Sequence, residues 1–169
     1  IYLASSPAAE LTALRGTLAA KAKKATAGKK PRVFELPAAQ RGICEILLDI
    51  DARKADSVSI DITNKAGERV ALTYNPAAHT LAFDRRNSGL KDFSKDFPAV
   101  TVAPTFENGR KISLRIFIDM SSIEVFGNNG HFVSTNLVFP TQPYSKLSVT
   151  SHGGSTKISN LNIFSIKEQ

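Results

Sequence analysis

The sequence predicts an all-β protein: a two-sheet antiparallel β-sandwich preceded by a short N-terminal linker helix. Three observations carry this. Strand-like runs recur at roughly the 8 to 12 residue spacing of a sandwich. Several of them alternate strictly, most clearly Val58, Ile60 and Ile62 against Ser57, Ser59 and Asp61. That pattern places one face on a core and the other towards water. Turn-forming clusters separate the runs: Asn64-Lys65-Ala66-Gly67, Asn75-Pro76, Asn108-Gly109, Asn129-Gly130 and His152-Gly153-Gly154, residues that turn because they accept positive φ or bond their own backbone.

The only helical signal lies over residues 6–25. Ser6 can cap, and Pro7 suits the first helical position. Leu11, Leu14 and Leu18 then share one face, while Gly16 weakens the middle. A narrow leucine stripe needs an apolar surface to lie on. Residues 1–30 are therefore read as an interdomain linker and 31–169 as the sandwich. Strands are expected near 33–36, 43–51, 57–63, 69–75, 79–84, 100–103, 112–118, 123–127, 131–139, 146–151 and 157–166. A phase slip between Ile158 and Leu161 predicts a bulge at Asn160. Residues 85–99 have no strand period and read as a long loop, with Phe93 and Phe97 available to pin it to a sheet edge.

Composition narrows the function. The chain has 169 residues, 42% of them hydrophobic, enough for one domain with a real core. No apolar run approaches the ~18 residues that cross a bilayer, and no membrane partner is expected. The net charge is +7, but it is local. Arg15, Lys21, Lys23, Lys24, Lys29, Lys30 and Arg32 occur without an acid between Glu10 and Glu35, and the other basic residues balance the 15 acids. A short basic run without aromatics reads as a solvated connection, not a nucleic-acid site. Cys44 is the only cysteine and sits at an inward position, a small buried hydrophobe. His79, His131 and His152 each lie beside a turn without metal-ligand spacing. No cofactor site is expected.

One stretch is more specific. Leu114, Ile116 and Ile118 alternate with Arg115 and Phe117, Asp119-Met120-Ser121-Ser122 turns the chain, and Ile123-Glu124-Val125-Phe126 restarts the alternation before Asn129-Gly130. Asp closing one strand with Glu-Val-Phe in the next resembles the C-terminal β-sandwich of glycoside hydrolase family 32, which includes invertases, levanases and inulinases. Three further segments resemble that family. Ser6-Pro7 followed by Glu10-Leu11 and Leu14-Arg15 is similar to its linker, Asp84-Arg85 through Ser88-Gly89 to its Asp-Arg-x-x-Ser-Gly segment, and Val138-Phe139-Pro140 to the strand end after the hairpin.

The resemblance implies an accessory domain of a retaining, extracellular or periplasmic enzyme acting on β-fructosides, with an N-terminal five-bladed propeller as its partner and a homodimer as a further form. Asp84, Arg85, Asp119 and Glu124 would be family-motif residues of structural role. Leu11, Leu14 and Leu18 would contact the propeller. The family's catalytic motifs, Asn-Asp-Pro, Arg-Asp-Pro and Glu-Cys, do not occur in this sequence, so no catalytic residue carries over. Asp119 and Glu124 are an alternative carboxylate pair, but Asp at a strand end commonly serves turn N–H groups. Two other readings compete: an independent fructan-binding module, for which Tyr144 is the sugar-contact candidate beside Tyr2 and Tyr74, and an interaction or oligomerisation domain using the basic segment.

Overall fold

The computed structural model describes residues 3–37, 41–106 and 109–167. Within them a 3-10 helix, Ala9–Leu14, precedes twelve strands: β1 Arg15–Ala27, β2 Arg32–Glu35, β3 Cys44–Lys54, β4 Ser57–Thr63, β5 Arg69–Asn75, β6 Thr80–Asn87, β7 Val100–Pro104, β8 Lys111–Ile118, β9 Ser122–Gly127, β10 Phe132–Leu137, β11 Lys146–His152 and β12 Ser155–Ile166. They form two six-stranded sheets. The first has the order β1-β12-β3-β8-β9-β10 and the second β2-β11-β4-β5-β6-β7. Neighbours pair antiparallel throughout. The expected two-sheet sandwich is observed.

The core lies between the sheets and follows from the alternation. Cys44, Ile46, Leu48 and Ile50 of β3 face inward, as do Val58, Ile60 and Ile62 of β4 and Ile112, Leu114, Ile116 and Ile118 of β8, all essentially without exposure. The Asn160 bulge is present: pairing with β3 shifts register between Ser159 and Asn162, and Asn160 has φ 50°.

One expectation is corrected. The helix expected over 6–25 ends at Leu14, and the basic segment that follows is a thirteen-residue edge strand, not a solvated connection. Ala and Lys are good helix formers, but tertiary pairing with β12 overrides them. The Ala20-Lys21-Ala22-Lys23 and Ala25-Thr26-Ala27 runs alternate at period two. Ala20, Ala22 and Ala25 pack against the core and Ala27 joins it, leaving lysines outside. Lysines on an exposed edge also discourage strand addition by another chain. Gly16 leaves room for the pairing with β12: a Cβ would lie 2.5 Å from Ser165 Oγ and displace the bond that oxygen accepts from Thr17 N at 2.9 Å.

The Leu114–Gly130 hairpin forms as expected. Asp119 N donates to Ser122 O at 2.9 Å, and Met120 N donates to Asp119 Oδ1 at 2.7 Å. At the second turn Asn128, Asn129 and Gly130 all have positive φ. Ser5 N donates to Gly130 O at 3.0 Å, and a Cβ on Gly130 would meet Ser5 O. The turn thus fastens the N-terminal segment to the first sheet.

Candidate functional site

The outer face of the first sheet carries the molecule's most unusual arrangement. Glu45 lies at the start of β3, side by side with Phe117 on β8 and Phe164 on β12. Its side chain has no solvent exposure. Arg15 grips it from one side through Nε at 2.6 Å and Nη2 at 2.8 Å, and Arg115 from the other through Nε at 2.6 Å. The guanidinium of Arg15 stacks 4.7 Å over Phe164, and that of Arg115 lies 5.0 Å from Phe117. Burial pushes the Glu45 carboxyl up, but hydrogen bonds from Arg15 and Arg115 outweigh it and hold the carboxyl below its ordinary range. The cluster ties β1 to β8 across two intervening strands, and so fixes where the N-terminal segment joins the sheet. Sequence reasoning misses it. The available signal is a charged residue in the otherwise apolar run Ile43-Cys44-Glu45-Ile46-Leu47-Leu48.

Beside this cluster the 3-10 helix places Leu11 against an apolar groove of about 450 Å³, shared with Ile43, Phe117 and Ile166. Lys167 N closes the segment by donating to Leu14 O at 2.8 Å. Leu11 and Leu14 are half-buried. Leu18, now on β1 opposite Phe164, is 45% exposed. Leu11 and Leu14 belong to the 3-10 helix and Leu18 to β1, so the three leucines do not form one helical stripe.

Asp119 and Glu124 border the same groove. Asp119 serves its own turn, and Glu124 projects outward between Phe117 on β8 and Thr135 on β10. The carboxyls of Glu45, Asp51, Glu68 and Asp84 are all held below their ordinary values. A general acid in glycoside hydrolysis needs the opposite shift.

The Asp84–Gly89 segment is a structural fastening. Asp84 takes Arg86 Nη2 at 2.7 Å and Nε at 3.0 Å. Arg85 Nε donates to Phe97 O at 2.9 Å and its guanidinium lies 4.5 Å over the Phe97 ring. Phe93, Phe97 and Phe139 then pack with centroids 4.7 to 5.4 Å apart. The loop is pinned as expected, with Phe97 buried and Phe93 exposed.

Tyr144 is a second correction. In place of an exposed sugar contact, it is 1% exposed, and its hydroxyl donates to Ser88 O at 2.7 Å. Its ring belongs to the hydrophobic core, and the hydroxyl bond ties it to the loop at Ser88. Burial raises its phenol. Tyr74 is equally buried, and Tyr2 lies outside the described residues. Removing the hydroxyl in Tyr144→Phe leaves a buried carbonyl without this donor. The expected cost is about 1–2 kcal/mol, measured by chemical denaturation.

Cys44 is buried and its thiol is pushed up to about 12 by desolvation, an inert cysteine. The three histidines are exposed, and His152 Nε2 lies 3.0 Å from Ser59 Oγ. Among the described residues no cluster of acidic, histidine or cysteine side chains fits a metal.

Two six-stranded antiparallel sheets with a fastened N-terminal segment define a β-sandwich domain. Comparison with known proteins gives its family. Residues 10–165 match the model described as "Glycosyl hydrolases family 32 C terminal". A levanase of Bacillus subtilis (strain 168) is 29% identical over 172 residues, covering 99% of this chain and 25% of that protein. A levanase of Bacillus sp. (strain L7) is 37% identical over 101 residues, 60% of this chain and 11% of that protein. Among solved structures, exo-inulinase from Aspergillus awamori superposes with a TM-score of 0.78 at 22% identity, covering 99% of this chain and 33% of that one. Fructan 1-exohydrolase IIa from Cichorium intybus gives 0.74 at 16%, covering 98% and 38%. The chain belongs to the C-terminal domain family of glycosyl hydrolase family 32. It spans a quarter or less of the length of these two levanases.

Proposed function

We propose that this chain is the non-catalytic C-terminal sandwich of a β-fructoside-hydrolysing enzyme, and that it stabilises an N-terminal catalytic propeller by covering apolar surface. The observation that carries this is the groove of Leu11, Ile43, Phe117 and Ile166 on the outer face of the first sheet. It lies beside the segment through which a preceding domain would be joined. Asp84, Arg85, Asp119 and Glu124 act structurally in this reading. We place the linker proper before Arg15, since β1 belongs to the sheet. Relatives named as extracellular exo-inulinases support an extracellular or periplasmic location.

The test uses the parent enzyme with and without this chain. The catalytic domain alone should unfold at lower temperature, while the isolated chain releases no fructose from sucrose, inulin or levan. In the full enzyme, Phe117→Ser should cost the catalytic domain about 1–2 kcal/mol, part of the burial of one large apolar side chain. A catalytic domain equally stable with and without the sandwich would refute the reading. So would fructose release by the isolated chain that Asp119→Asn or Glu124→Gln abolishes.

A further inference from the structure

Two grooves of about 540 and 620 Å³ adjoin on the outer face of the first sheet, separated from the apolar groove by the Phe117–Phe126 ring pair, and share Asp49 and Ser113 as a common wall. Together they cross five strands from β1 to β9, a span of about 19 Å at ~4.8 Å per strand. We infer that this trough binds an oligosaccharide, a chain of the neutral sugar that the parent enzyme acts on; the choice of sugar rests on the function proposed above.

The trough lies across the middle of a sheet. Backbone N–H and C=O groups there are occupied by the ladder, so a ligand must be read by side chains. The bulge supplies them. Asn160 leaves the ladder with φ 50° and carries its amide to Asp49, donating to Oδ2 at 2.6 Å. Asn162 in turn donates to Asn160 O at 3.0 Å. This arrangement orients three planar polar groups along one wall. All three residues line the groove, and only the amide nitrogens of Asn160 and Asn162 and one Asp49 oxygen are used in these two bonds. Bulges commonly re-aim a side chain in this way beside functional sites.

The wall mixes donors and acceptors, and Ser113 adds a hydroxyl that does both. Sugar hydroxyls also both donate and accept. Leu47 and Phe126 lie among these groups and offer an apolar floor for the C–H face of a sugar ring. The charges do not favour a phosphate or a polyanion. Lys157, Asp51 and Lys111 alternate across three neighbouring strands, so the fields oppose one another. A peptide would need an open strand edge, which the centre of a sheet does not provide. Ser6 and Pro7 form one rim. The trough thus opens beside the segment that would lead to the catalytic domain, where it can hold a distal part of a chain whose end is being cleaved.

The experiment titrates the 169-residue chain with inulin- and levan-derived oligosaccharides, read by calorimetry and by amide chemical shifts. Saturable binding is expected with at least one of them, with shifts at Asp49, Asn160 and Asn162. Asn162→Ala and Asp49→Ala should each weaken it tenfold or more, while Thr73→Ala on the second sheet leaves it unchanged. Thermal unfolding of each variant shows that the loss is not one of folding, and Asp49→Asn provides a milder variant if Asp49→Ala unfolds. No saturation with either fructan, binding of malto-oligosaccharides alone, or affinities equal in all variants would overturn the proposal. None of these results touches the docking function, which is read from the stability of the catalytic domain.

Discussion

Glu45→Ala is expected to lower the stability of the chain by about 3 kcal/mol. Breaking a buried ion pair by removing one member typically costs ~3–5 kcal/mol, because the remaining charge is stranded. The lower end applies here. Arg15 and Arg115 are each about a quarter exposed, at 26% and 25%, and recover part of their hydration. Replacing Arg15, Glu45 and Arg115 together by Met, Leu and Met should cost far less than Glu45→Ala alone, since no charge is then left behind. The acid limb gives a second readout. The folded Glu45 carboxyl lies below its unfolded value. Its contribution is therefore fully present above the unfolded value of ~4.3 and is lost as pH falls through the folded value. In Glu45→Gln that part of the acid dependence should vanish. Urea melts between pH 3 and pH 7 test both points. A Glu45→Ala variant as stable as the parent chain, or a Glu45→Gln variant with an unchanged acid limb, would show that the cluster is only a surface contact.

The sandwich is legible in the sequence because most of its strands are half-buried. Val58, Ile60 and Ile62 can face the core only if Ser57, Ser59 and Asp61 face water, and β3, β8 and β9 announce themselves in the same way. The first strand, β1, does not, for a physical reason. Its inward residues are alanines, which bury too little surface to mark a face, and its outward lysines favour a helix locally. Pairing with β12 decides the outcome, and that information lies about 140 residues away. The bulge at Asn160 is legible because a slip in phase has no other cheap explanation in a strand. The trough it builds is not, since nothing in the local sequence shows that Asp49 lies beside it. Glu45 can be noticed but not partnered: Arg15 and Arg115 are 30 and 70 residues away. Tyr144 misleads because a Pro-x-Ser context suggests an exposed loop. The tyrosine is what fills the space beneath it.

Gly89→Ala should be about as damaging as the loss of Glu45, at about 3 kcal/mol, and should act through the backbone. Gly89 has φ 136°, a region that side-chain-bearing residues avoid at a cost of roughly 1–3 kcal/mol. A Cβ there would also sit 2.1 Å from Phe139 O and 2.6 Å from Pro140 Cα, atoms that cannot swing aside as a side chain does. The damage should spread along the loop. Ser88 O receives the Tyr144 hydroxyl, and Leu90 N donates to Phe139 O at 2.8 Å, so displacing Gly89 strains both bonds and loosens the Phe93–Phe97–Phe139 packing. Gly67 is the control. It too has positive φ, at 81°, but a Cβ there would meet nothing within 4 Å. Gly67→Ala therefore reports the backbone penalty alone, expected near 1 kcal/mol. The difference between the two variants measures how tightly the loop is pressed onto the strand end at Phe139. If Gly89→Ala costs no more than Gly67→Ala in chemical denaturation, the Asp84–Gly89 segment is not the fastening described above, and the aromatic cluster holds the loop without it.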